Sequence, residues 1–111
     1  MSRIEYNKLI RDRIPDIIEA EGKCYRVETM TEIEYRQALL AKLSEEAQEA
    51  SAASAEQLVT ELADLYEVID AVMAAYGIEP STVLNVQAER RNKRGGFGKR
   101  LKLLWVEEKD K

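Results

Sequence analysis

The chain has 111 residues, of which 45% are hydrophobic and 34% charged, and its net charge is −4. This composition predicts one folded domain, residues 1–111, rather than a disordered chain. The chain contains no histidine and one cysteine, Cys24, which excludes histidine-based zinc sites, Ser-His-Asp triads and an intramolecular disulfide. No apolar run approaches the ~20 residues that span a bilayer, and the first residues do not resemble a signal peptide. We therefore expect a cytoplasmic location.

Local signals predict a mainly α-helical protein that begins with a short helix. Asp12 can cap this helix, Pro15 suits its first turn and Gly22 suits its end. Residues 24–28 then alternate between apolar and polar in the manner of a strand. Together with residues 101–107, they predict a short two-stranded β element.

Two longer helices are predicted in the middle of the chain. Thr31 and Glu34 form a capping-box pattern, which marks the start of the first of them. Ser54 and Gln57 repeat this pattern after a break of small residues, and Gly77 marks the end of the second helix. Apolar residues recur at helical spacing in both segments. We therefore expect the two helices to pack as an antiparallel pair.

A fourth helix is predicted from the positions of proline and glycine. Pro80 suits the first helical position, and the Gly95-Gly96 pair suits a helix end. With the central pair, this segment predicts a small helical bundle.

Charge is strongly segregated along the sequence. Every lysine and arginine lies in residues 1–42 or 90–111, whereas residues 43–89 contain ten acids and no basic residue. Within that acidic block Glu45, Glu46 and Glu49 fall inside one five-residue stretch, where like charges one helical turn apart repel. The block itself contains no lysine or arginine that could offset this charge.

Folding the central pair about its turn predicts that carboxylates from both helices converge. Glu46 and Glu61 are equally far from the turn, while Glu49 and Asp64 lie about 4.5 Å from that level along the helix axes. Glu45 leans outward. At ~5 Å and an effective dielectric of ~20, each carboxylate pair would repel by about 3 kcal/mol. A bound Mg²⁺, or Mn²⁺ in its place, would relieve this repulsion, and the alternative interpretation is an ordinary solvated acidic face.

The acidic residues also resemble a known motif. The stretch KLSEEAQE, followed after eleven residues by ELAD, is similar to the E-E-x-x-E…E-x-x-D signature of the all-α nucleotide pyrophosphohydrolases. This superfamily includes MazG-like proteins, dimeric dUTPases and phosphoribosyl-ATP pyrophosphohydrolase. The segments YNKLIRDRIPDIIEAEGK and KRGGF resemble a phosphoribosyl-ATP pyrophosphohydrolase-like branch. The likeness covers nearly the whole chain.

The resemblance implies magnesium-dependent hydrolysis of a nucleotide between its α and β phosphates, which releases pyrophosphate and a nucleoside monophosphate. Carried over by position, Glu46, Glu49, Glu61 and Asp64 would hold the metal, and Glu46 would also count as catalytic. Glu45 would be an acid beside the metal ligands or a base that orients water. Related folds usually build this site across a dimer, so we expect a homodimer or a larger homo-oligomer.

The basic flanks are candidates for binding the substrate phosphates. One group precedes the first helix, one lies a turn before the paired glutamates, and one precedes a glycine pair whose backbone can approach a phosphate closely. The candidate residues are Asn7, Lys8, Arg11, Lys42, Lys93 and Arg94.

Two other functions compete with this interpretation. Residues 90–102 hold seven basic residues and could form a nucleic-acid-binding module, although the acidic remainder of the chain would repel a long polyanion. A catalytically silent helical protein that binds nucleotides or partners is the other alternative.

Overall fold

The structure, a computed structural model, describes residues 2–110. Within these residues the chain forms four helices: α1 Ile14–Ala20, α2 Glu32–Ala52, α3 Leu58–Ala75 and α4 Pro80–Arg94. The prediction of a mainly α-helical protein is confirmed. Two compact units can be distinguished, one ending at Ile78 and one beginning at Glu79. The expectation of a single domain stays a prediction.

The predicted β element is not formed. Across residues 2–110 no segment is a strand, and residues 24–28 and 101–107 are exposed and lack regular secondary structure. Neither segment forms a backbone hydrogen bond with another part of the described chain. Alternating side chains alone do not make a strand stable, because a strand also needs a hydrogen-bonded neighbour and an apolar face to cover.

The signals that start the helices differ in how well they predicted the structure. The capping box of α2 is present: the Glu34 backbone N–H donates to Thr31 Oγ1 at 3.2 Å, and the Thr31 N–H donates to Glu34 Oε1 at 3.3 Å. The prediction for Asp12 is wrong, since α1 begins after Arg13 and has no side-chain cap. Pro15 does lie in the first turn of that helix.

The second predicted capping box, formed by Ser54 and Gln57, does not cap a helix. The Ser54 hydroxyl accepts a hydrogen bond from the Gln57 N–H at 3.3 Å, but this bond closes a turn that precedes the helix. The helix itself begins at Leu58, with Gln57 as an N-cap that makes no side-chain bond. The pattern therefore marks the connection between α2 and α3. The predicted start of α3 lies about one helical turn before the observed start.

Helices α2 and α3 pack against each other as an antiparallel pair, as predicted. Their interface contains the two buried apolar side chains of the described chain, Leu39 and Val68. At the end of the pair opposite the α2–α3 connection, the Arg36 Nε–H donates to the carbonyl oxygen of Ala75 at 3.1 Å. The Arg36 guanidinium lies 4.9 Å from the ring centre of Tyr76. This arginine satisfies a carbonyl at the end of α3, which has no partner within its own helix.

Helix α4 belongs to the second unit. Pro80 occupies its first turn, and Gly95 follows its last residue with a φ of 83°, a left-handed conformation that favours glycine. Both boundaries agree with the sequence prediction. All described residues from 79 onward are exposed. No helix within residues 2–110 is long and apolar enough to cross a membrane.

Candidate metal centre and substrate cleft

The α2–α3 pair brings three carboxylates together. Glu46 of α2 and Glu61 and Asp64 of α3 each offer one oxygen atom, and these oxygens lie within 4.8 Å of one another. The antiparallel packing brings Glu46 level with Glu61, and the i, i+3 spacing of Glu61 and Asp64 places Asp64 one turn away on the same side of α3. We call these three residues the acidic cluster.

Burial makes the acidic cluster costly without a cation. Glu46 is only 8% exposed, although it carries a carboxylate. The Oε2 atoms of Glu46 and Glu61 are buried and have no hydrogen-bond partner within the described part of the chain. An unpaired carboxylate oxygen removed from water is strongly unfavourable. The donor set consists of oxygens alone, which is the set that Mg²⁺ prefers, so the cluster fits a hard divalent cation.

Two basic residues offset part of this charge from within the protein. Lys42 Nζ lies 3.7 Å from Glu46 Oε1, and both side chains are largely buried. Arg11 Nη2 donates a hydrogen bond of 2.8 Å to Asp64 Oδ1. Both cations come from the basic region that precedes the acidic block in the sequence. No ion pair to Glu61 exists among residues 2–110.

The electrostatic setting of Glu46 is unfavourable for its ionised form. Burial is the main cause that raises the pKa of the Glu46 carboxyl, and the neighbouring charges of Glu49 and Asp64 and a hydrogen bond with Glu49 raise it further. The Lys42 ammonium opposes this rise. The net direction is upward, which means that the lysine does not fully compensate the desolvation of the carboxylate.

Two other predicted acids lie next to the cluster without joining it. Glu49 is exposed and interacts with Glu46, but it is not a member of the group of mutually close oxygens. Glu45 is exposed and faces a different feature, the cleft described next. Their proposed roles as a metal ligand and as a catalytic residue stay predictions. Glu67 and Asp70, the second acidic pair of α3, are exposed.

A cleft of about 250 Å³ lies between the N-terminal segment and α2. Three of the predicted substrate-binding residues, Asn7, Lys8 and Lys42, line it together with Glu45. Lys42 also contacts Glu46, so this lysine joins the cleft to the acidic cluster. The cleft is somewhat smaller than the pockets that enclose a whole drug-sized ligand, so it has room for one part of such a molecule.

Sequence reasoning missed the apolar side of this cleft. The other lining residues are Leu9, Met30, Ala38 and Ala41. A signal for part of the set was available, because residues 38, 41, 42 and 45 have the i, i+3, i+4, i+7 spacing of a single helix face. The contributions of residues 9 and 30 depend on how irregular segments fold over α2, which helical spacing does not predict.

The remaining predicted substrate contacts are distributed differently. Arg11 contacts Asp64 rather than lining the cleft. Lys93 and Arg94 lie in the last turn of α4, in the other compact unit. Their role as phosphate contacts stays a prediction.

Comparison with known proteins agrees with the resemblance in the motifs. Residues 4–92 match the family model of phosphoribosyl-ATP pyrophosphohydrolase. A 46-residue segment is 48% identical to an uncharacterized protein of Mycolicibacterium smegmatis, and the match covers 41% of this chain and 47% of that protein. The chain thus spans about half the length of this curated relative. No solved structure matches the chain. Because the family model covers most of the sequence, the chain belongs to the phosphoribosyl-ATP pyrophosphohydrolase family, a family of nucleotide pyrophosphohydrolases.

Proposed function

We propose that the protein hydrolyses a nucleoside triphosphate or a related nucleotide between its α and β phosphates, releasing pyrophosphate and a nucleoside monophosphate. The observation that carries this proposal is the acidic cluster, in which three carboxylates from two packed helices converge in a chain of this family. Two of their oxygens are buried without partners. This is the arrangement that a metal-dependent phosphate-cleaving enzyme needs.

Mg²⁺, or Mn²⁺ in its place, is the proposed cofactor. Glu46, Glu61 and Asp64 would hold it, with Glu49 as a fourth carboxylate that lies beside Glu46. When bound, such a cation neutralises phosphate charge and makes a water molecule a better nucleophile. The buried setting of Glu46 strengthens the interaction of its carboxylate with any cation, because little water competes for it.

Around this centre, the basic residues would position the substrate. Lys8, Lys42 and Asn7 line the cleft. The two lysines would supply ammonium groups and Asn7 an amide N–H to phosphate oxygens. Glu45 lines the same cleft, and it would orient a water molecule or act as an acid beside the metal ligands. Lys93 and Arg94 would supply further phosphate contacts.

The proposal includes assembly into a homodimer or a larger homo-oligomer. Within residues 2–78 only two apolar side chains are buried, whereas α3 exposes an apolar stripe, Val59, Leu62 and Tyr66, at i, i+3, i+7 spacing. Val59 is 76% and Tyr66 68% exposed. A contiguous apolar face of this kind is typical of a protein–protein interface. A second copy of the chain is its proposed partner, and nucleic acid is not.

The free, exposed thiol of Cys24 supports a reducing compartment and hence the expected cytoplasmic location.

The reaction is tested by measuring pyrophosphate and orthophosphate release from ribo-, deoxyribo- and modified nucleoside triphosphates and from phosphoribosyl-ATP, with and without Mg²⁺ or Mn²⁺. We expect metal-dependent release of pyrophosphate. Glu46→Gln should lower kcat by at least about a hundredfold, because it removes a charge that stabilises the transition state. The matched control is Glu56→Gln, the same change at an exposed residue of the α2–α3 turn, which should retain activity.

Other results would redirect the proposal. Release of orthophosphate would mean that a different bond is cleaved. Absence of turnover on the whole panel by a folded protein would favour a silent nucleotide-binding protein. In the same assay, replacement of Lys93 and Arg94 by glutamine should raise KM and leave kcat largely unchanged if these residues contact phosphates.

A further inference from the structure

Arg11 connects the N-terminal segment to the acidic cluster. Its hydrogen bond to Asp64 joins residues 53 positions apart in the sequence. Among the described residues, no other side-chain hydrogen bond joins residues 2–13 to α2 or α3. The same segment supplies Asn7, Lys8 and Leu9 to the substrate cleft. The contact therefore links the cleft-forming segment to a proposed metal ligand.

The two cations that face the cluster are held very differently. Lys42 lies on α2 one turn before Glu46, and its side chain is 18% exposed, so packing fixes its position. The Arg11 side chain is 56% exposed and contacts Asp64 through a single nitrogen rather than through a two-bond fork. Arg11 also precedes α1 and lies outside any regular element. Arg11 can consequently leave its partner without disturbing the packed helices.

Asp64 has two competing uses. It offers an oxygen to the group of three close carboxylates, and at the same time it accepts the Arg11 hydrogen bond. A guanidinium beside Asp64 and a divalent cation on the same carboxylate would repel each other. The arrangement in which Asp64 holds both cations therefore has a higher free energy than one in which Asp64 holds only the divalent cation. In the second arrangement Arg11 pairs with a phosphate instead.

We propose that Arg11 is an exchangeable counter-ion: it neutralises Asp64 in the metal-free protein, leaves it when a divalent cation binds, and then pairs with a phosphate of the substrate. This inference rests on the proposed metal-dependent function and assigns a specific role to one residue within it. The guanidinium suits this exchange because its planar set of donors matches carboxylate and phosphate oxygens equally well.

The exchange has a thermodynamic consequence. Because Arg11 must leave Asp64 before it can contact phosphate, cation binding favours phosphate binding, and by linkage phosphate binding favours the cation to the same extent. The arginine thus disfavours the binding of a divalent cation without substrate and favours the binding of both together.

The test measures two affinities of the intact protein by calorimetry. The first is the Kd for Mn²⁺ alone, and the second is the Kd for inorganic pyrophosphate at saturating Mn²⁺. Relative to the wild type, Arg11→Gln should bind Mn²⁺ about tenfold more tightly and pyrophosphate about tenfold more weakly, within the usual range of coupling between sites. Opposite changes in the two affinities are not expected from a residue that only supports the fold.

Two further variants complete the comparison. Arg3→Gln removes the same charge from the same segment, where Arg3 pairs with Glu5 rather than with the cluster, and it should match the wild type in both affinities. Arg11→Lys keeps the positive charge and should lie closer to the wild type than Arg11→Gln does. A thermal unfolding curve for each variant shows that it is folded.

The outcomes separate this inference from the proposed function. If neither the wild type nor Arg11→Gln binds Mn²⁺, with or without pyrophosphate, the metal site and the role of Arg11 are both wrong. If the wild type binds Mn²⁺ but Arg11→Gln binds it equally or more weakly, the metal site stands and the exchange is wrong. Weaker binding in particular would mean that Arg11 supports Asp64 as a ligand.

Discussion

The α2–α3 pair and residues 79–110 are marked by the same kinds of local signal but differ in burial. In the pair, one face of each helix lies against the other, and Leu39, Glu46 and Val68 are buried. In the second unit, α4 has a proline in its first turn and a glycine after its last residue, yet all its described side chains are exposed. Helix boundaries therefore do not indicate whether a helix buries anything.

The difference also separates two kinds of charged residue. Glu46 lies where packing excludes water, and its pKa is raised in consequence. Lys93 and Arg94 remain exposed in the last turn of α4, where positive charge also stabilises the negative end of the helix dipole. A buried charge such as that of Glu46 is unfavourable without a partner. The exposed cations at the end of α4 stabilise the helix whether or not they bind phosphate.

The largest effect that we predict is on stability, and it compares the same substitution in the α2–α3 pair and in α4. Leu39→Ala should lower the free energy of unfolding by about 3 kcal/mol, because it removes a nearly fully buried side chain from a core that contains few others. The same change in α4, Leu84→Ala, removes a side chain that is 60% exposed and should cost less than about 0.5 kcal/mol. Urea unfolding followed by circular dichroism measures both.

Equal losses in the two variants would contradict the distinction between the regions. In particular, a loss of several kcal/mol for Leu84→Ala would mean that α4 is buried in the functional assembly, and then exposure within one chain would not describe its environment.

The sequence predicted the helical content and a convergence of four carboxylates, because both follow from local periodicity and a short turn. The structure groups three of the four, Glu46, Glu61 and Asp64, and leaves Glu49 beside them. The turn fixes which residues of the two helices are level, and the helical repeat fixes which of them face inward. The contact between Arg11 and Asp64 was not predictable in this way. It depends on the path of an irregular segment, for which no repeating geometry exists.

The errors have a related cause. Residues 24–28 and 101–107 have strand-like composition, but strands depend on a partner that local sequence does not specify. The Ser54 pattern was recognised correctly as a hydrogen-bonding motif, yet it closed a turn before α3 instead of capping the helix. The sequence thus predicted that this local hydrogen bond forms, but not whether it belongs to a turn or to the start of a helix.

The next largest effect that we predict is on self-association, and it tests which exposed apolar surface forms the interface between copies of the chain. Val59→Glu places a charge in the exposed apolar stripe of α3 and should weaken self-association at least tenfold, because the charge would have to be desolvated in the interface. Val86→Glu makes the same change on α4, where the side chain is 48% exposed, and should leave the assembly intact. Sedimentation velocity over a range of protein concentrations measures both.

If Val86→Glu dissociates the assembly and Val59→Glu does not, the interface lies on the second unit. If the wild type sediments as a monomer at all concentrations, the proposed oligomer is wrong, and the exposed stripe of α3 needs another partner.

The smallest effect is the pH dependence of stability that Glu46 causes in the metal-free protein. Its pKa is raised in the folded state above the ordinary value of 4.5, chiefly by burial. Between these two values the folded state binds more protons than the unfolded state, so stability falls as pH rises through this window. Below 4.5 the contribution is fully present, and above the raised pKa it is lost.

Glu46→Gln removes this titration while keeping the shape of the side chain. The difference in unfolding free energy between the wild type and Glu46→Gln, measured in urea with a chelator present, should therefore shift against the wild type as pH rises above 4.5. A constant difference across the window would mean that burial does not disfavour the charged carboxylate, and the electrostatic reason for a cation at this site would be lost. Added Mg²⁺ should reverse the trend, since a bound cation stabilises the ionised carboxylates of the folded wild type and not the amide of the variant.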